Sequence, residues 1–227
     1  MKVAVLFSGG KDSCLATWYA LHKGWSVDSL LVAYPSIDSW MFHYPAVEWA
    51  SLQGEAIGIP VKTFKASSGK ESELQSLYES LVEMKKQDGL DGLVSGAIGS
   101  GYQKRKVDMI CDAVKIPSFS PLWFKEPEFL LEEMLNLGFE TYVTGVSALG
   151  LDEMWLGRRL DETAISELKR LALQYGIHLS GEGGEYETFV ADAGFFRKRI
   201  SFKRTSKHWN GSSGFLAIHE AELTGKL

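Results

Sequence analysis

The sequence has few of the residues that build disulfide-stabilised, metal-clustered or membrane-spanning proteins. Its 227 residues include two cysteines, Cys14 and Cys111. Two isolated thiols provide neither a disulfide framework nor a closed metal site. No apolar run reaches the roughly 18 residues that a membrane-spanning helix needs. The opening residues predict a strand at once, so we expect no signal peptide ahead of it and a cytoplasmic location.

Positive charge and asparagine are also scarce. The net charge of −5 disfavours binding to nucleic acid over a large surface, although it permits a local basic patch. Only two asparagines occur, Asn136 and Asn210, and such scarcity is typical of heat-adapted proteins. The 45% of hydrophobic residues is enough for a globular protein with a sizeable core.

The first strong motif is Ser-Gly-Gly-Lys-Asp-Ser at residues 8–13, between a predicted strand and a predicted helix. The glycines let the main chain approach a ligand closely, and the first turn of the helix directs unpaired N–H groups at the same point. Lys11 adds positive charge, and Ser8 and Ser13 add hydroxyl groups. Such a site suits phosphate. The spacing is that of neither the Walker loop nor the dinucleotide fingerprint.

The first half of the chain alternates between strands and helices. Apolar runs predict strands at 3–7, 27–34, 61–65 and 90–95, and helical patterns follow at 13–21, 45–57, 71–86 and 102–115. This order predicts an α/β fold with a Rossmann-like parallel sheet. Ligands bind such sheets beyond the carboxyl ends of the strands. We therefore expect a nucleotide-binding domain over residues 1–120.

The second half has a different pattern. It contains predicted helices at 127–137 and 161–175, strands at 140–145 and 189–191, and two alternating stretches at 200–205 and 214–222. The last two predict a pair of antiparallel strands. We therefore expect a smaller, substrate-binding α+β domain over residues 121–227.

The second strong motif is Gly-Glu-Gly-Gly-Glu-Tyr-Glu-Thr at residues 181–188. Its glycines indicate a backbone folded around something, and its three acids predict a concentrated negative charge. We expect this acidic segment to lie outside the core, because three carboxylates are too costly to bury together.

Two resemblances follow from these motifs. Residues 8–13 resemble the pyrophosphate loop of the N-type ATP pyrophosphatases. With residues 181–188 they resemble the diphthine–ammonia ligase (diphthamide synthetase) family. Further matches, in the same order along nearly the whole chain, lie at residues 41–43, 95–98, 100, 102, 103, 105, 121–123, 150–151 and 156–157.

The second resemblance implies a reaction. The family amidates diphthine, a modified histidine on translation elongation factor 2, with ammonium, through an acyl-adenylate, giving diphthamide, AMP and pyrophosphate. It implies ATP and Mg²⁺ as cofactors, with no membrane and no direct nucleic-acid contact, and leaves a homo-oligomer open. Eukaryotic relatives carry extra carboxyl-terminal domains, so together with the scarce asparagines we expect an archaeal source.

The resemblance also implies roles for individual residues. Lys11, Glu182, Glu185 and Glu187 are expected to be catalytic, and which glutamate acts as the base stays open. The expected ATP-binding residues are Ser8, Gly9, Gly10, Lys11, Asp12, Ser13, Ala33, Tyr34 and Gly96. The expected substrate-binding residues are His43, Tyr102, Gln103, Arg105, Gly183, Gly184, Tyr186 and Thr188. Asp12 either helps to hold Mg²⁺ or orders the turn.

Two points among these roles have competing interpretations. Arg105 either clamps a phosphate or carboxylate, or is a surface residue that pairs with Asp108. The acids are explained by the two cations on the substrate side, ammonium and the trimethylammonium group of diphthine. We expect the ring of Tyr186 or of a nearby tryptophan to contact the trimethylammonium group.

Two other functions stay open. One is a tRNA-modifying enzyme of the same superfamily, and the other is an ATP-binding sensor without catalysis. Sulfur transfer to tRNA favours a paired or mobile cysteine, and a sensor has no evident use for the acidic segment. The ligase interpretation requires residues 8–13 and 181–188 to face one another across a single cleft.

Overall fold

The computed structural model describes residues 1–35, 49–66 and 70–226. Its first sheet has the strands β1 (Lys2–Leu6), β2 (Ser26–Pro35), β3 (Val61–Ala66), β4 (Gly92–Val94) and β5 (Ser118–Phe119). The helices between them are α1 (Lys11–His22), α2 (Ala50–Ile57), α3 (Lys70–Asp88) and α4 (Gly101–Val114). All the strand pairs are parallel, in the order β3-β2-β1-β4-β5. The predicted Rossmann-like sheet is confirmed.

The hydrophobic pattern explains why β1 is central. Val3, Ala4 and Val5 are fully buried on both faces, as expected for a parallel strand covered by helices. β5 was not predicted, because two residues are too short to show a period. The helix predicted from residue 45 is seen from Ala50, and its predicted start falls outside the described residues.

The second sheet is antiparallel. Its elements are α5 (Pro127–Asn136), β6 (Glu140–Val146), a short 3₁₀ turn (Glu153–Trp155), α6 (Glu162–Tyr175), β7 (Tyr186–Asp192), β8 (Arg199–Trp209) and β9 (Gly214–Thr224). The strand order is β7-β6-β9-β8, and the predicted pairing of the last two strands is confirmed. β7 begins at Tyr186, three residues earlier than predicted, so the acidic segment leads directly into a strand.

The two sheets share a hydrophobic core. One cluster of buried side chains joins Val5 and Leu15 of the first part to Phe189 and Ile218 of the second. The boundary between a nucleotide-binding and a substrate-binding domain at residues 120 and 121 therefore stays a prediction. Across the described ranges, no helix is long and apolar enough to cross a membrane.

Candidate functional site

The turn between β1 and α1 forms the centre of the site. Gly9 adopts a φ of +80°, a conformation that favours glycine, and a side chain there would collide with the amide group of Gln53. The hydroxyl oxygens of Ser8 and Ser13 are 3.3 Å apart. Ser13 Oγ also donates to Gly10 O at 3.0 Å. The turn therefore places two hydroxyl groups beside the amino-terminal amides of α1.

The turn lies against the edge of β7. Val190 N donates to Gly9 O at 3.1 Å. Lys11 N donates to Thr188 Oγ1 at 3.1 Å, across 177 residues of sequence. The structure thus brings the glycine-rich turn and the end of the acidic segment into direct contact. A single cleft between the two segments stays a prediction.

Lys11 is more deeply placed than the sequence indicates, since only 3% of the residue is exposed. Its Nζ donates to Ser180 O at 2.6 Å and to Asp12 Oδ2 at 2.7 Å. It also lies 5.4 Å from the centre of the Tyr186 ring. In this structure the ammonium group joins the turn to the acidic segment, and its action on a phosphate stays a prediction.

Tyr186 does not offer its ring to a ligand. The residue is buried, its hydroxyl donates to Leu179 O at 2.8 Å, and the ring packs beside Lys11. The expectation that this ring contacts a trimethylammonium group is wrong in this structure, because the first residue of β7 points into the core.

Asp12 is the carboxylate nearest the start of α1. Burial raises the pKa of Asp12 above its ordinary value, Lys11 opposes the rise, and the negative charge of Glu182 adds to it. Oδ2 accepts from Lys11, while Oδ1 is buried and has no hydrogen-bond partner. Asp12 Oδ1 can therefore bind a metal ion or accept a hydrogen bond at this point.

The three glutamates of the acidic segment do not form one cluster. Glu182 Oε2 accepts from Gly99 N, in the loop between β4 and α4, at 2.9 Å. Glu185 accepts from the backbone amides of His178 and Gly183, at 2.7 and 2.8 Å, and so braces its own loop. Glu187 lies on β7, where side chains alternate between faces, and it lines a separate cavity. The three glutamates thus have different partners, and Glu182 is the one whose charge acts on Asp12.

Comparison with known proteins decides the family. A family model described as the diphthamide synthase N-terminal domain matches residues 1–118, and one described as the C-terminal domain matches residues 126–224. The chain belongs to the diphthamide synthase family.

Curated relatives of this chain are named diphthine–ammonia ligase. The protein of Rattus norvegicus is 31% identical over 245 residues, covering 99% of this chain and 91% of its own. That of Homo sapiens is 33% identical, covering 88% and 82%. That of Schizosaccharomyces pombe is 32% identical over 96% of this chain and 39% of its own. These relatives are eukaryotic and give no support to an archaeal source.

A solved structure also shows a distant likeness to this member of the diphthamide synthase family. The U34-tRNA thiolase NcsA from Methanococcus maripaludis with its [4Fe-4S] cluster has a TM-score of 0.40 and 20% identity, over 60% of this chain and 58% of that chain. A likeness at that level bears on neither substrate nor mechanism.

Three other residues with an expected role in a diphthamide synthase lie on three different segments. Gly96 follows β4, and a Cβ there would lie 2.8 Å from Asp12 O, so a glycine is needed for the contact. Ala33 is half-buried at the carboxyl end of β2. Gly184 bends the acidic segment, with a φ of +82°, and its carbonyl accepts from Ser147 Oγ.

At the start of α4, the residues expected to bind substrate contact their own helix, and their role in binding substrate stays a prediction. Tyr102 is largely exposed, with Lys106 Nζ 4.3 Å from its ring centre. Arg105 Nε donates to Gly101 O in the same helix at 3.0 Å. Among the described residues Arg105 forms no ion pair with Asp108, whose Oδ2 lies 2.6 Å from Lys104 Nζ, and the clamp on a phosphate or carboxylate stays a prediction. His43 and the side chains of Tyr34 and Gln103 lie outside the described part of the chain.

Gln53 is a site residue that the sequence analysis missed. It is fully buried in α2, and its Nε2 donates to Gly9 O at 2.8 Å and to Val190 O at 2.9 Å. Gln53 thereby links the turn to β7. The sequence contained one signal for this role. Gln53 lies three residues after Ala50, on the buried face of a helix, and a polar residue there needs a buried hydrogen-bond partner.

Proposed function

We propose that this protein amidates diphthine on translation elongation factor 2 with ammonium and ATP, forming a C–N bond through an acyl-adenylate and releasing AMP and pyrophosphate. The observation that carries the proposal is the contact of Lys11, in the turn at residues 8–13, with Thr188 and Tyr186 in the segment at residues 181–188. A phosphate-binding turn alone serves many proteins, whereas this pairing accompanies membership of a family whose relatives are named for the reaction. Both alternatives, a tRNA-modifying enzyme and a sensor, are less favoured.

The turn supplies the groups that hold ATP. The amides at the start of α1 and the hydroxyls of Ser8 and Ser13 bind the departing pyrophosphate, and they are fixed in place before its charge develops. Lys11 adds positive charge from beneath the turn. A Mg²⁺ ion fits at Asp12 Oδ1, which has no partner, and when bound it neutralises phosphate charge.

Glu182 is the glutamate best placed to serve as the base. Its carboxylate accepts from Gly99 N, and its negative charge is close enough to raise the pKa of Asp12. Ammonium needs an anionic site and a group that removes its proton before it attacks. Glu185 accepts from amides of its own loop and Glu187 lines a separate cavity, so we assign this step to Glu182. We place the protein in the cytoplasm.

The experiment is incubation with ATP, ammonium and elongation factor 2 that carries diphthine, with AMP and pyrophosphate measured. AMP formation that requires the modified factor supports the ligase. AMP formation that requires tRNA instead, or tight ATP binding without turnover, contradicts it. Glu182→Gln should lower the rate at least a hundredfold. Glu220→Gln, on the exposed part of β9, is the matched control and should leave the rate unchanged.

A further inference from the structure

His178 is linked to Lys11 through one buried residue. Ser180 is 1% exposed, and its carbonyl accepts from Lys11 Nζ at 2.6 Å. The other two polar groups of Ser180 reach a single ring nitrogen. Ser180 N lies 3.4 Å from His178 Nδ1, and Ser180 Oγ lies 3.0 Å from the same atom. The imidazole of His178, an exposed residue, thus anchors the residue that holds the buried ammonium group.

These contacts define the protonation state of the His178 ring. A backbone amide can only donate, so Nδ1 accepts from Ser180 N, and Ser180 Oγ donates to the same nitrogen. A neutral imidazole that accepts at Nδ1 carries its proton on Nε2. A second proton would sit on Nδ1 and face two donors. The contacts with Ser180 are therefore compatible only with the neutral ring.

The loop around Ser180 is closed by other hydrogen bonds. His178 N donates to Glu185 Oε1 at 2.7 Å, and the hydroxyl of Tyr186 donates to Leu179 O at 2.8 Å. Gly181 N donates to His178 O at 2.9 Å. These three bonds hold the backbone on both sides of Ser180, and none of the three involves a polar group of Ser180 itself. The direction of its carbonyl towards Lys11 therefore depends on the imidazole.

We propose that His178 is a positioning residue for the ATP site, which acts through Ser180 on Lys11 while its ring is neutral. The inference rests on the proposed function, in which Lys11 supplies positive charge to the bound phosphates. Protonation of the ring would make Nδ1 a donor and displace Ser180, so the ammonium group would lose one of its two oxygen acceptors, Ser180 O and Asp12 Oδ2. ATP binding should then weaken, because a freed lysine side chain has to be ordered again when the phosphates bind.

Other titratable groups lie around this contact. The described contacts place Glu185 and Tyr186 beside it on the acidic segment and β7, and Lys11 and Asp12 beside it on α1. The charge of Glu182 also acts on Asp12, whose pKa is raised by burial. Asp12 and the phosphates of ATP therefore respond to acid as well. The test needs a variant in which the ring alone loses its response to pH.

The test measures the Kd for ATP by calorimetry with the folded full chain. His178→Asn keeps an acceptor, Oδ1, near the position of Nδ1, and its amide does not titrate at about pH 5–8, where imidazole does. At about pH 8, where the imidazole is neutral, this variant should bind ATP as the wild type does. His178→Leu has no acceptor and should bind ATP about fivefold more weakly under the same conditions. His219→Asn replaces an exposed histidine on β9 and is the matched control, with the binding of the wild type expected at every pH.

The pH profile separates positioning from a merely structural role. On acidification the Kd of the wild type should rise more steeply than that of His178→Asn, since the titration of Asp12 and of ATP is common to both proteins. Parallel pH profiles overturn the proposal, and this comparison does not depend on the folding of the leucine variant. Wild-type affinity in His178→Leu, or an equal loss in His178→Asn, also overturns it. If the wild type binds ATP with the expected pH dependence but forms no AMP with elongation factor 2 that carries diphthine, the proposed function fails and the positioning role stands.

Discussion

Thr188→Val tests the junction on which the site depends. Thr188 Oγ1 accepts the hydrogen bond from Lys11 N and so caps the first turn of α1 from a strand 177 residues away. Valine has nearly the same shape and suits a strand, so the change removes the acceptor with little change in volume. The Lys11 amide then lacks a partner, as at a helix that has lost its cap, which costs about 0.5–2 kcal/mol.

The measurements are urea unfolding and the Kd for ATP, each compared with Thr188→Ser, which keeps the hydroxyl group. We expect the valine variant to be less stable by about 1 kcal/mol, with an unchanged m-value, because one hydrogen bond is lost without a change in compactness. The Kd for ATP should rise by up to about tenfold if the freed turn moves. The reasoning is refuted if the valine variant matches the wild type in both measurements, or if the serine variant loses as much as the valine variant.

Three further changes test other parts of the site. Gly96→Ala should destabilise the protein by about 1–3 kcal/mol and weaken ATP binding, because the added Cβ would press on the backbone of Asp12. Gly101→Ala is the control, since a Cβ there meets open space, and it should change neither urea unfolding nor the Kd for ATP. Glu185→Gln should cost about 1–2 kcal/mol in thermal or urea unfolding, because it weakens two charged hydrogen bonds to backbone amides; wild-type stability would contradict the bracing role. Burial raises the pKa of Glu187 above 4.5, so the folded state binds this proton more tightly than the unfolded state does. The free energy of unfolding should therefore fall as pH rises from 4.5 through the raised pKa. Glu187→Gln should remove that part of the pH dependence in urea unfolding, and an unchanged pH profile would contradict it.

Local patterns explain why the fold was largely predictable. The strand at Val3–Val5 is apolar on both faces, so burial between two layers was the only stable arrangement. The turn at residues 8–13 needs backbone angles that its glycines permit, and Asp161 begins α6 by accepting from Ala164 N, as an amino-terminal cap does. The exception was β5, which exists only through its pairing with β4.

The candidate site was less predictable, because its geometry depends on register and on distant contacts. The composition of residues 181–188 indicated a single acidic element, yet Glu185 accepts from its own loop and Glu187 lines a cavity beside the antiparallel sheet. Gln53 was missed because its role depends on carbonyl groups of residues 9 and 190. Neither contact leaves a signal in the neighbouring sequence.

The sequence by itself determined the alternating sheet, the phosphate-binding turn and the family, because each of these depends on short-range spacing and on the order of motifs. Tertiary structure decided which side chains meet. Lys11 is buried against Ser180, and Glu187 is opposite Gly145, only because segments distant in sequence meet in one particular register. A shift of one residue would turn every side chain on β7 to the other face. The different contacts of the three glutamates are therefore a property of the folded sheet.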